Sequence, residues 1–225
     1  MPRSSVAANG MIAQAEYRQR VGGVLCLDFI NTVDLHAPDV VPAYDYLAPG
    51  YANLLAWSTY AGTIDEPTHA SLLRLARKDG RQAAAVRLRA AHLREALVEI
   101  VRAIRCDASE PAAAMDVFSA ELDLARARQR LIMRDGHLAW VLRGDTALDA
   151  VLWPIAISAI DLLVTDTVRR IGECAGASCD WLFIDTSKNH SRRFCSTTGC
   201  GNASRIRRHR AREIESRPDI PVPPL

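Results

Sequence analysis

The sequence lacks any long apolar run: the longest uncharged one, Ala150 to Ile160, spans 11 residues and contains Pro154. A helix crossing a bilayer needs about 20, so no membrane span is expected. Met1 to Arg20 has no apolar segment of the kind a secretory signal carries, so the expected location is the cytoplasm. Gly-rich phosphate loops, nucleophile elbows and closely spaced carboxylate pairs are missing. His36, His69, His92 and His137 are scattered without metal-ligand spacing. A catalytic reading therefore has little to stand on: no enzyme is expected, and an N-terminal domain that is an enzyme of unknown reaction is the alternative, which a polar cleft around Asp28 would mark. No internal repeat is found, which excludes a solenoid. Lysine is almost absent, with two residues against 26 arginines, a skew that a GC-rich genome explains.

What is present describes a globular chain. The 225 residues are 49% hydrophobic and 24% charged, too apolar for disorder throughout. They suffice for one large core with a small appended module. Glycines precede a β-rich run, Val24 to Val33, which predicts a strand. Ala37 to Pro49 holds three prolines and reads as a loop. Helical periodicity then covers Tyr51–Ala61, Thr68–Lys78, Arg81–Arg105 and Ala112 to about Arg126. Asp135-Gly136 between two β-prone runs predicts a hairpin of Arg130–Arg134 with His137–Arg143. Thr146 to Ile171 reads as a last core helix, bent near Pro154. The domain reading is a loose leader (1–20), a body (21–171), a cysteine-rich module (172–215) and a Pro-rich disordered tail (216–225).

Asp28 and Asn31 interrupt the apolar run near the start. Buried polar groups must be hydrogen-bonded, so each either caps a neighbouring turn or faces a cavity that takes a ligand. The second alternative predicts that Asp28 lines a small-molecule site.

Six cysteines in so long and apolar a chain do not suggest a disulfide scaffold. Cys26 and Cys106 stand alone, whereas four follow the pattern Cys174-x4-Cys179-x15-Cys195-x4-Cys200. Two knuckles joined by a hairpin-length gap can deliver a tetrahedral thiolate set to Zn²⁺. Four unrelated thiols are the alternative. His190 and His209 are nearby imidazoles, but neither displaces a cysteine.

Charge is concentrated in the same region. Between Thr186 and Arg212 there are eight basic residues and no acid, so the remainder of a +2 chain sums to −6. Four thiolates on one Zn²⁺ carry −2, which leaves about +6 for a polyanionic partner. Arg205, Arg208 and Arg212 fall on one helical face with His209 between them, and Arg207 lies opposite. Lys188, Arg192 and Arg193 precede the third cysteine. These seven cations are the candidate nucleic-acid contacts, and the partner they suit is DNA. A protein-docking surface or a solvated helix end is the competing reading. Trp181 and Phe183 invite base stacking, although their alternation with Leu182 and Ile184 fits a packed strand better.

The residues from Cys174 to Arg210, with Trp181, Phe183, Asp185-Thr186-Ser187, Arg192-Arg193 and Cys200-Gly201-Asn202, resemble the CGNR zinc finger of bacterial regulators. Leu25 to Thr32 (LCLDFINT) is similar to the opening motif of the ABATE domain that precedes this finger. The resemblance implies an α+β fold. It consists of a mainly helical N-terminal domain with a small antiparallel sheet, then a treble-clef-like finger with four cysteines on zinc. It also implies transcription regulation. Beside the resemblance, the candidate site at Asp28 makes the N-terminal domain a sensor for a small-molecule effector, and a homodimer is the further partner considered. Two positions depart from the pattern: Ala203 stands where the family's eponymous arginine would be, and Phe194 where a tryptophan precedes the third cysteine.

Overall fold

The computed structural model describes residues 20–34, 44–143, 146–177 and 179–215. The leader, most of the Pro-rich loop and the tail expected from the sequence lie outside these residues.

The run read as a strand is instead a short helix, α1 (Leu25–Ile30). A continuous apolar run cannot distinguish a buried strand from a buried helix, and here burial on nearly every side decides. Cys26, Leu27, Asp28, Phe29 and Ile30 are all buried. Helix α1 packs against α4 (Gly80–Arg105) and α6 (Trp153–Leu163). Burial also pushes the Cys26 thiol up to about 11, so it stays neutral inside the core. Gly22 is needed just ahead, because a Cβ there would lie 2.7 Å from the Leu27 Cβ and 2.8 Å from the Asp28 amide.

The amphipathic helices form as their periodicity predicts. They are α2 (Tyr51–Tyr60), α3 (Glu66–Lys78), α4 and α5 (Ala112–Ala127). Asp65 caps α3 by accepting from the Thr68 N–H at 2.9 Å, and Asp79 caps α4 by accepting from the Gln82 N–H at 2.9 Å. Their inner faces, with Leu54, Leu55, Leu72, Leu93 and Leu97, close over α1 and α6 into one core. The last core segment is broken where one long helix was expected. Leu148–Val151 forms a 3-10 turn, α6 follows, and Asp166–Arg170 is a second 3-10 turn. Pro154 sits in the first turn of α6, where its missing N–H has no partner to lose, so it starts a helix rather than bending one.

Among the described residues, the expected antiparallel pairing takes the form of three separate two-stranded ribbons. β1 (Val33–Asp34) pairs with β2 (Tyr44–Asp45). β3 (Gln129–Arg134) pairs with β4 (His137–Leu142) through the expected turn, whose Asp135 and Gly136 have φ of +48° and +78°. β5 (Ile171–Glu173) pairs with β6 (Leu182–Ile184) and carries the cysteine-rich module. Helix α7 (Asn202–Glu215) ends the described chain.

Two charged clusters brace the body. Arg94 is 4% exposed and donates both to Thr32 Oγ1 and, bidentately, to the Asp45 carboxylate. Burial alone would raise the Asp45 carboxyl, but the Arg94 guanidinium outweighs it and holds the group below its usual range. Arg89 makes the corresponding fork onto Glu121 at 2.7 and 2.8 Å, with Asp149 at 3.4 Å.

Candidate metal centre and basic helix

The β5–β6 ribbon sets the first two cysteines. Gly172 faces Phe183 across the pair, and a Cβ there would meet the ring at 2.7 Å. Beyond the ribbon the Cys174 N–H still bonds the Trp181 carbonyl at 3.0 Å, so the chain leaves β5 already aimed into the knuckle. The knuckle closes with the Cys179 N–H donating to the Gly176 carbonyl at 3.2 Å. Gly176 has no room for a side chain: a Cβ would lie 3.2 Å from the Cys200 sulfur. The second pair is set by a turn. Ser196 accepts from the Gly199 N–H at 3.1 Å, and the wide helical turn Thr197–Gly201 delivers Cys200 to the start of α7.

All four sulfurs lie within 4.8 Å of one another. Cys179 and Cys195 are 3.6 Å apart, and Cys195 and Cys200 are 3.7 Å apart. A tetrahedral Zn²⁺ with bonds of about 2.3 Å requires sulfur edges of about 3.8 Å, so the set has the size of a zinc–thiolate tetrahedron. The Cys195 N–H donates to the Cys174 sulfur at 3.3 Å. Crowding disfavours the ionised form of two of the bare thiols. The hydrogen bond to Cys195, then burial, raises Cys179, and burial pushes Cys200 up to about 12. Such a cluster needs a cation to hold its sulfurs as thiolates. Four cysteines fill a zinc tetrahedron, so the metal they suit has a structural role with no open position.

Beside the centre, Asp185 accepts from the Ser187 N–H at 2.8 Å and the Arg192 N–H at 2.9 Å, bonds that hold its carboxyl below the usual range. The loop they fold returns the chain to Cys195. It also corrects one expected DNA contact. Arg192 turns inward, stacks on Phe183 at 4.2 Å, and donates to the carbonyls of Val21, Ile184, Phe194 and Cys195. A guanidinium so engaged has no fork left for phosphate.

The remaining cations face outward. Lys188 and Arg193 are exposed on the loop. Arg205, Arg207, Arg208, Arg210 and Arg212 are exposed on α7, and no described residue bonds to them. His209 pairs with Glu213 at 3.4 Å on the same helix. Ala203 is exposed in the first turn, beside the metal centre.

Among the described residues, Asp28 and Asn31 are each held by partners of the fold and not by one shared cavity. The Asp28 carboxylate accepts from the Gly22 N–H at 2.9 Å and from Arg20 Nε at 3.3 Å. Burial raises its pKa, and these two bonds offset that only in part. The Asn31 amide donates to the Leu182 carbonyl and accepts from the Leu182 N–H, both at 2.9 Å. It thereby mimics a strand neighbour and fastens α1 to β6. Both polar groups are structural, which corrects the ligand-binding alternative. Three further bonds cross the same seam: Trp181 Nε1 to the Val33 carbonyl at 3.3 Å, the Ile184 N–H to the Gly22 carbonyl at 3.0 Å, and the Asp185 N–H to the Arg170 carbonyl at 2.8 Å. Trp181 and Phe183 are therefore packing residues and not stacking platforms. The sequence signal for the seam was the pair of polar residues in an apolar run, but nothing in it named Leu182.

The pattern of the ABATE family, described as "Putative stress-induced transcription regulator", matches residues 23–166, and that of the CGNR zinc finger matches residues 170–213. The chain belongs to the ABATE family. The CGNR match takes in all four cysteines, so the sulfur cluster of this ABATE protein is a zinc-finger site. No curated protein matches the chain. Among the described residues of this ABATE chain, no helix is long and apolar enough to cross a membrane.

Proposed function

We propose that the chain is a transcription regulator, not an enzyme, that binds duplex DNA through α7 and the loop before Cys195. One observation carries the reading: five exposed arginines on α7 have no partner among the described residues, on a helix that starts at the metal centre. Unpaired guanidinium groups on a rod of about 20 Å suit phosphates flanking a groove. The four cysteines, with Cys200 opening the helix, fit a treble clef holding Zn²⁺. A site of action on DNA accords with a cytoplasmic location. The body's part is that of a sensor. A small-molecule effector that shifts α1 would reach the finger through the Asn31–Leu182 clamp.

Salt dependence tests the reading. With Arg192 turned inward, Arg193 and the single face formed by Arg205, Arg208 and Arg212 supply about four phosphate contacts. Log K should then fall with log[salt] at a slope of about −3 to −4, from ~0.9 per phosphate. Arg208→Ala should weaken binding to all sequences alike and lower the slope by about one. Ala203→Arg, which restores the pattern of related fingers, should tighten binding. Duplex affinity that ignores salt, or that survives loss of α7, would refute the reading and favour a protein-docking finger.

A further inference from the structure

The β3–β4 hairpin carries an apolar face that the body does not cover. Its register places Leu131 opposite Trp140 and Met133 opposite Leu138, so all four side chains stand on one side. They are 49%, 65%, 70% and 65% exposed in the order Leu131, Trp140, Met133, Leu138. The same face continues at the root of the hairpin through Gln129 and Leu142, which pair with each other. Those two residues and Trp140 form one wall of an open groove of about 820 Å³, and Leu25, Pro154 and Ile157 form part of the other. Arm and groove are thus one continuous apolar surface. Among the described residues, Asp161 is the only charged one lining the groove, and Arg134 and Asp135 both sit at the end of the arm.

We propose that this surface is a two-fold interface between two copies of the chain. A hairpin of two strands cannot bury its own face, and the molecule offers both a projecting apolar arm and an apolar recess beside it. A surface that holds both complementary shapes can pair with itself about a two-fold axis, each arm lying against the other copy's recess. The four arm side chains expose on the order of 500 Å², the upper end of what a monomer carries. Adding the recess brings each copy to roughly 650 Å², inside the span of about 600–1,000 Å² per partner of a standard interface. The pairing would present two α7 helices related by the same axis, yet it stands whether or not α7 binds DNA.

Sedimentation equilibrium of the full-length, zinc-loaded protein tests the proposal. The expected species at micromolar concentration is twice 24.7 kDa. Met133→Glu and Leu138→Glu should each raise the dimer dissociation constant by about 100-fold or more, since each places a charge in the centre of the contact. Compared at concentrations low enough that the wild type is also monomeric, their thermal midpoints should match it, because both side chains are exposed in the monomer. Leu88→Glu, at an exposed leucine on α4 away from the arm, should leave the dimer intact. A chain that is monomeric up to about 100 μM, a weak-affinity bound, overturns the proposal. So does a dimer insensitive to both arm variants, or one equally sensitive to Leu88→Glu. A monomer that Leu138→Glu destabilises would instead assign the face to another segment of the same chain.

Discussion

The body and the finger solve the same problem with different means. Helices α1 to α6 enclose a continuous apolar core that includes Phe29, Leu54, Leu93 and Ile155. The finger buries only Cys174, Phe183 and Cys195 in its own cluster, with Val21, Trp181 and Phe194 leaning on it. So small a cluster cannot offset the entropy of ordering a hairpin, a loop and a helix start. The sulfur tetrahedron and the seam to the body make up the difference. Hydrophobic area therefore decides the order of the body, whereas the finger rests on a few hydrogen bonds and on a cysteine set that suits a metal.

Removing zinc should separate the two most sharply. Structural zinc contributes an apparent ~10 kcal/mol or more in small fingers, so a strong chelator, or Cys195→Ser, should unfold the finger and leave the body's melting transition in place. Native-state alkylation read by mass spectrometry checks this. Cys174, Cys179 and Cys200 should become reactive while buried Cys26 stays protected. Loss of the body's transition at the same step would show that the two regions form one cooperative unit.

A charge deletion probes the body next. Asp45→Ala leaves Arg94 buried without its carboxylate, at a cost of about 3 kcal/mol, the low end for a broken pair because Asp45 is partly open to solvent. Denaturant unfolding measures it, and zinc content should not change. The pH dependence has a definite sign. Asp45 titrates below its ordinary value in the fold, so its stabilisation is fully present above about pH 3.9 and is lost as pH falls through the lowered pKa. Wild type should lose stability over that acid interval, and Asp45→Ala should lose less.

The smallest expected effect lies at the seam. Asn31→Ala leaves the Leu182 N–H and carbonyl without their partner, at a cost of about 2 kcal/mol. Hydrogen exchange at Leu182 should speed up while amides in the middle of α4 keep their protection. Asn31→Asp should behave almost as badly, because a carboxylate accepts from the Leu182 N–H but repels its carbonyl. Unchanged exchange at Leu182 would mean that zinc alone holds the finger in place.

The helices α2 to α5 were legible because their apolar positions recur at helical spacing, and the β3–β4 turn because Asp-Gly tolerates positive φ at both positions. The grouping of the four cysteines was legible because spacing and residue type together point to one cluster. Less legible were the segments whose outcome depends on what lies against them. Leu25–Ile30 contains β-formers yet coils into α1, since full burial satisfies a helix as well as a strand. Arg192 reads like its neighbour Arg193, yet one is locked on four carbonyls and the other reaches solvent.

By itself, then, the sequence determined the four sulfur ligands, the basic helix behind them and the period of the main helices, because each rests on local spacing. Tertiary structure alone decided that Asn31 is a clamp, that Arg192 is a strut and that the hairpin's apolar face points away from the core. Each of these depends on a partner distant in the chain, and 151 residues separate Asn31 from Leu182. Local pattern fixes which groups a residue can bond, but only the packed chain fixes which group it meets.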